Sequence, residues 1–336
     1  MDLFLNNGFL DMGSIIEQPE PFIFVIGARG IGKTYGALSY MLEHQYKFVY
    51  MRRSQNEIDL TKTEELNPFK TINRDKGYDI QGKTIIKNVI GYYDKGSGNQ
   101  YATGLALATL HNVRGIDLSD INYIFYDEFI PQLSARPIKS EFDAFANCYE
   151  TINRNRELSG CEPVKMICAA NSNNAANPIF IGLGLVTTIE KIKNEHRSVF
   201  RIRDKGILII NVEASPISEK KKETALYKLM KNTDYAAMAL ENEFSSDDFT
   251  LIHPEKLAEY KPLFNCGEIT IYRHKSKNQY YVSQHYSGAP DQYGTNEREL
   301  KAFAQRAWRI WDSYLDGRVL FENYLCKILF TRYINS

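Results

Sequence analysis

Residues 27–34 read Gly27-Ala28-Arg29-Gly30-Ile31-Gly32-Lys33-Thr34, the GxxxxGK[ST] spacing of a phosphate-binding loop. The chemistry needs each of these residue types. Glycines let the backbone turn its amides onto phosphate oxygens, the lysine reaches the β- and γ-phosphates, and the hydroxyl ligates Mg²⁺. Gly27, Arg29, Gly30, Gly32, Lys33 and Thr34 are therefore candidate nucleotide contacts, with ATP and Mg²⁺ as the implied cofactors. A glycine-rich turn arising by chance is the alternative, and the flanks argue against it. The apolar run Pro21-Phe-Ile-Phe-Val-Ile26 precedes the loop and a helix-forming stretch follows, which aims a helix amino terminus at the phosphates.

Asp127-Glu128 closes a second apolar run, Asn122-Tyr-Ile-Phe-Tyr126. In that position the first carboxylate holds Mg²⁺, so Thr34 and Asp127 are the candidate metal ligands, and the second orients and deprotonates the attacking water. A water-activating carboxylate suits hydrolysis. A GTPase would carry an NKxD-type base reader, which the sequence lacks. Asn171, at the end of Val164-Lys-Met-Ile-Cys-Ala-Ala170, is placed to sense the γ-phosphate from the carboxyl edge of a parallel sheet. Arg154 and Arg156, in Ile152-Asn-Arg-Asn-Arg-Glu157, are candidates for stabilising transferring phosphoryl charge, with Arg29 as a competitor from within the loop.

Basic residues give candidate nucleic-acid contacts at Arg52 and Arg53, Arg114, Lys220 to Lys222, and Arg273, Lys275 and Lys277. Each taken alone is more often a solvated charge. Lys and Arg total 41 and Asp and Glu total 41, so the formal net charge is zero and nucleic acid would be held by local patches. The six histidines form no HExxH motif.

These groups must be held by elements the sequence also outlines. Strands at 21–26, 47–51, 122–126 and 164–169 alternate with helices at about 33–45 and 140–156. Glycine-broken hairpins lie between about 78 and 110. The alternation indicates an α/β P-loop NTPase domain with a mainly parallel sheet over residues 1–205. A charged helical linker at 206–247 and a small α+β domain at 248–336 complete the expected organisation. The length of 336 residues suits two domains, and 43% apolar with 24% charged residues excludes collagen-like, disordered and disulfide-scaffold classes. Five cysteines without CxxC pairs argue for reduced thiols. The acidic amino terminus and the lack of an 18-residue apolar run argue against a signal peptide or membrane partner.

With GARGIGKTY, the MRR after the second strand, IFYDEF, and INRNRE followed by ICAAN, the first 180 or so residues resemble the DNA packaging ATPases of phi29-like bacteriophages, relatives of the terminase large subunits. The resemblance implies an ATP-driven motor that forms a homopentameric ring on the portal, or connector, of a procapsid and drives double-stranded DNA inward, in the host cytoplasm. It selects Arg154 over Arg156 as a finger acting on the neighbouring subunit. Some relatives place a packaging RNA between portal and ATPase. Beyond residue 205 the likeness is one of domain order, toward a vestigial, RNase H-like nuclease domain that binds without cutting. Two rival readings are a P-loop helicase or conjugation-type DNA-dependent ATPase, and a nucleotide-gated docking protein without productive hydrolysis, against which Asp127-Glu128 argues.

Overall fold

The computed structural model describes residues 1–113, 116–130, 138, 140–171, 177–230 and 251–335. Two units emerge, Met1–Ile179 with Ile192–Ser246, and Phe180–Lys191 with Asp247–Ser336.

The apolar run at Phe22 becomes β1 (Phe22–Gly27), and its position explains its composition. The other strands of the first unit are β2 (Phe48–Arg52), β3 (Ile80–Ile86), β4 (Val89–Asp94), β5 (Gln100–Ala106), β6 (Tyr123–Asp127), β7 (Lys165–Ala170), β8 (Val199–Ile202) and β9 (Ile207–Val212). They form one sheet in the order β3-β4-β5-β2-β6-β7-β1-β9-β8. From β5 to β9 every pairing is parallel, while β3, β4 and β8 join antiparallel at the two edges. Strands such as β1 and β9 are covered on both faces, so they read as continuous apolar runs rather than alternating ones. Because β1, β2, β6 and β7 run the same way, Gly27, Arg52, Asp127 and Ala170 end at one edge of the sheet.

The structure orders the amino-terminal segment and corrects two sequence expectations. The leader forms a short helix, α1 (Met12–Ile16), capped by Asp11, whose carboxylate accepts from the Ser14 amide at 3.1 Å. Met12, Ile15 and Ile16 join the core. The boundary at 205 falls between β8 and β9: β9 pairs with β1 along its full length and belongs to the sheet, not to a linker. The charged stretch that follows supplies the helices Pro216–Lys222 and Ala225–Leu229, and residues 231–247 of the expected linker lie outside the described residues. The helix expected to reach Arg156 stops at Asn153.

The helices that matter for the site are α2 (Lys33–Glu43), α3 (Gln55–Leu60), α4 (Lys70–Lys76) and α5 (Glu141–Asn153). α3 opens with a capping box between Ser54 and Glu57, which fixes the chain leaving β2.

In the second unit β10 (Tyr260–Cys266), β11 (Ile269–His274) and β12 (Tyr280–Ser283) make an antiparallel meander. β13 (Asp291–Tyr293) and β14 (Val319–Phe321) add parallel at its two edges. Phe303 and Ala307 of the helix Glu297–Leu315 and Phe330 of the helix Tyr324–Ile334 pack with Ile269, Ile271 and Phe321 in one core. β10 went unread in the sequence because Pro262 interrupts it, and the pairing with β11 shifts register there. Glu268 consequently lies in the turn ahead of β11. Among the described residues, no helix is long and apolar enough to cross a membrane.

Candidate active site

The loop from Gly27 to Thr34 connects β1 to α2, as its spacing predicts. Gly32 sits at φ +100°, a left-handed backbone that a side chain would strain, and from it the first turn of α2 starts. Lys33 folds back over the loop. Its ammonium donates to the carbonyls of Gly27 at 2.6 Å and Ala28 at 2.8 Å, and to Asn171 Oδ1 at 3.1 Å. Only 8% of the residue is exposed. Burial pulls its pKa down from 10.5 to about 7, against the opposing pull of Asp127 and Glu128.

Thr34 Oγ1 donates to both oxygens of Asp127, at 3.1 and 3.2 Å. Tyr50 adds its hydroxyl to Asp127 Oδ2 at 3.2 Å. Burial pushes the Asp127 carboxyl above its ordinary value and Glu128 adds to this, while Arg52, Thr34 and Lys33 oppose it. Thr34 and Asp127 thus form a hydroxyl–carboxylate pair of the hard oxygen type that Mg²⁺ takes, beside the Lys33 ammonium.

Arg52 corrects a sequence expectation. Read as a nucleic-acid contact, it instead enters the site: its guanidinium donates to Glu128 Oε2 at 2.6 Å and lies 3.6 Å from Asp127 Oδ2 and 3.4 Å from Glu57 Oε1. Burial works against its charge, but Tyr50, Asp127 and Glu128 hold its pKa above the usual guanidinium value. Glu128 is therefore tethered, on a backbone at φ +53°. A non-glycine residue in that region costs about 1–3 kcal/mol, a strain that accumulates at functional sites.

Arg53 turns the other way. Its guanidinium holds Glu141 at the start of α5 through two bonds of 2.6 and 2.8 Å, and the two residues are 7% and 3% exposed. A buried bidentate pair offers nothing to a DNA phosphate, so this expectation is also corrected.

Arg154 follows α5 at φ +49° and is exposed, with a contact to the Ile116 carbonyl at 3.5 Å. It does not line the cavity that opens at the Gly27–Thr34 loop, whereas Arg29 does. Arg156 donates to the Ser119 carbonyl. Of the lysine cluster, Lys221 donates to the Arg29 carbonyl in the phosphate loop. Arg273, Lys275 and Lys277 are exposed at the end of β11 and in the turn that follows, with Lys275 Nζ also donating to the Ala258 carbonyl at 2.7 Å. Arg114 lies outside the described residues.

Residues 8–294 match the podovirus DNA encapsidation protein (Gp16) family. The chain belongs to that family. It is similar to the DNA packaging protein of Bacillus phage B103, 28% identical over 242 residues covering 68% of this chain and 66% of that protein. The DNA packaging protein of Bacillus phage phi29 is 26% identical over 234 residues, 68% of this chain and 64% of its own length. The matches thus span just under two thirds of these relatives. Among solved structures, the bacteriophage Phi-29 viral genome packaging motor assembly aligns over 99% of this chain and 100% of its own, with TM-score 0.69 and 19% identity. The Phi-28 gp11 DNA packaging motor aligns over 97% of each, with TM-score 0.63 and 19% identity. At these identities the structural likeness establishes the fold of both units.

Lys33, Thr34, Asp127, Glu128 and Asn171, named from sequence, meet at the carboxyl edge of the sheet. Tyr50 and Arg52 were missed as site residues. Their signal was there: Arg52 ends a strand that pairs parallel with β6, and Tyr50, two residues earlier, shares its side of that strand.

Proposed function

We propose that this protein is an ATP-hydrolysing motor that moves double-stranded DNA into a procapsid. The observation that carries the reading is the convergence of Lys33, Thr34, Asp127 and Asn171 on one phosphate-binding loop. Family membership supplies the DNA packaging context.

In this mechanism Lys33 exchanges the Gly27 and Ala28 carbonyls for phosphate oxygens, and Asn171, bonded to the same ammonium, reports on the γ-phosphate. Thr34 and Asp127 would hold Mg²⁺, which neutralises phosphate charge and orients the phosphates. Glu128 accepts the proton of the attacking water once its carboxylate leaves Arg52, so the tethered form is a resting form. Arg154, outside its own cavity and exposed, serves the site of the next subunit in a ring, with Arg29 as the alternative from within the loop. The ring is read as a homopentamer on the portal of the procapsid, acting in the host cell, with a packaging RNA as a further partner. The second unit binds and does not cut nucleic acid: β10 and β12 carry no acidic residue, and β11 ends in the basic residues Arg273 and His274. Arg273, Lys275 and Lys277 are its candidate phosphate contacts.

The test is ATP turnover by the full chain with and without double-stranded DNA and empty procapsids. Lys33→Ala should lose ATP binding, and Glu128→Gln should bind ATP but turn over at least about a hundredfold more slowly. ATP binding that survives Lys33→Ala would overturn the reading.

A further inference from the structure

The run Lys220-Lys221-Lys222 closes the helix Pro216–Lys222, a few residues beyond β9, and its members part company there. Lys222 turns to Glu219, with Nζ 3.0 Å from the carboxylate. Lys221 turns onto the phosphate-binding loop instead, where its ammonium donates to the Arg29 carbonyl. The approach is anchored at the start of the helix. Ser215 caps it, the hydroxyl accepting from the Ser218 amide at 3.0 Å, and Pro216 takes the first helical position, where no amide is needed.

On the loop side Gly30 makes room. A Cβ there would stand 3.3 Å from Lys221 Cε and closer still to the ammonium. Arg29 and Gly30, the residues that Lys221 covers, both line the cavity that opens at the loop. Lys33, whose pKa burial lowers, is pushed further the same way by Lys221 and Arg29, so these cations stand within electrostatic reach of one another. Lys221 itself is half-buried and has no carboxylate partner among the described residues. Its present acceptor is a neutral carbonyl, and an anionic oxygen would make the stronger bond.

A loop of this kind encloses the α- and β-phosphates in its amides, so the γ-phosphate is the one left open to a side chain arriving from outside. We propose that Lys221 is a second phosphate-binding lysine, which exchanges the Arg29 carbonyl for an oxygen of the terminal phosphate when a nucleoside triphosphate occupies the loop. This assignment rests on the phosphate-site reading above and adds a cation from outside the motif. It also removes Lys221 from the candidate nucleic-acid contacts. Because Lys221 ends the first helix beyond the sheet, the presence of a terminal phosphate would be felt where the chain leaves the nucleotide-binding strands.

The experiment measures equilibrium binding of the magnesium complexes of ADP and of the β,γ-imido analogue of ATP, which is not hydrolysed, to the full chain by calorimetry. Lys221→Met, which keeps the apolar stem, should weaken the triphosphate about tenfold and leave ADP within about twofold of the parent. Lys221→Arg, which keeps the charge, should retain most of the preference for the triphosphate, and Lys222→Met should change neither ligand. Retained ADP binding also shows that the variants are folded. The assignment is overturned if Lys221→Met binds the triphosphate like the parent, if both ligands weaken alike, as loss of a brace on the loop would cause, or if Lys222→Met has the same effect. Lys33→Ala should lose both ligands, and if it retains both, the phosphate-site reading fails instead.

Discussion

If the loop binds nucleotide as proposed, Lys33 should couple that binding to proton uptake. Its pKa of about 7 in the free protein reflects an ammonium buried against carbonyl groups. Phosphate beside it must restore the charge and raise that pKa toward or above its ordinary 10.5. At pH 8 about nine tenths of free Lys33 is neutral, so binding should take up about 0.9 proton, and at pH 6 about 0.1. Affinity should be flat below pH 7 and fall by up to about tenfold per unit above it. Calorimetry of MgATP binding in two buffers of different ionisation enthalpy counts the protons directly. Lys33→Arg, charged at every pH, should remove the dependence even where it binds more weakly. The sign extends to folding: between pH 7 and 10.5 the unfolded chain holds a proton that the native lysine has lost, so stability rises across that window. Uptake that does not grow from pH 6 to pH 8 would refute the argument that burial has discharged Lys33.

Mixing Arg154→Ala with Lys33→Ala protein should recover part of the lost turnover, because an interface can pair an intact loop with an intact finger, and no recovery in demonstrably mixed rings would move the role to Arg29. Arg53→Ala should lower unfolding free energy by about 3–5 kcal/mol by stranding Glu141, as read from urea denaturation. A near-normal midpoint with weakened DNA binding would restore Arg53 as a nucleic-acid contact. Replacing Arg273, Lys275 and Lys277 together should lower DNA affinity and flatten its salt slope, and an unchanged slope would make that turn a solvated surface.

The arrangement of the candidate site was legible where one short motif carries both the residue types and the geometry. A strand, a glycine loop and a lysine at a helix start leave little freedom, and Lys33, Thr34 and Asp127 met as expected. The parallel order of the strands followed from their unbroken apolar character. What the sequence hid depends on which side a residue takes at a strand end. Arg52 and Arg53 are chemically alike and adjacent, yet alternation sends one to Glu128 and the other to Glu141. Composition reads both as surface charge. β10 was lost to a proline that its own pairing tolerates by shifting register.

That opposed pair of arginines also ties the end of β2 to two sides of the molecule. One arginine grips Glu128, the carboxylate proposed to activate water, and its neighbour grips the first turn of α5, a rod of 13 residues and about 20 Å whose far end carries Arg154. A shift of the strand end therefore loads both at once. In the proposed ring, the state of a subunit's own water-activating group and the reach of the finger it extends next door would move in phase, with no messenger between them but one rigid helix.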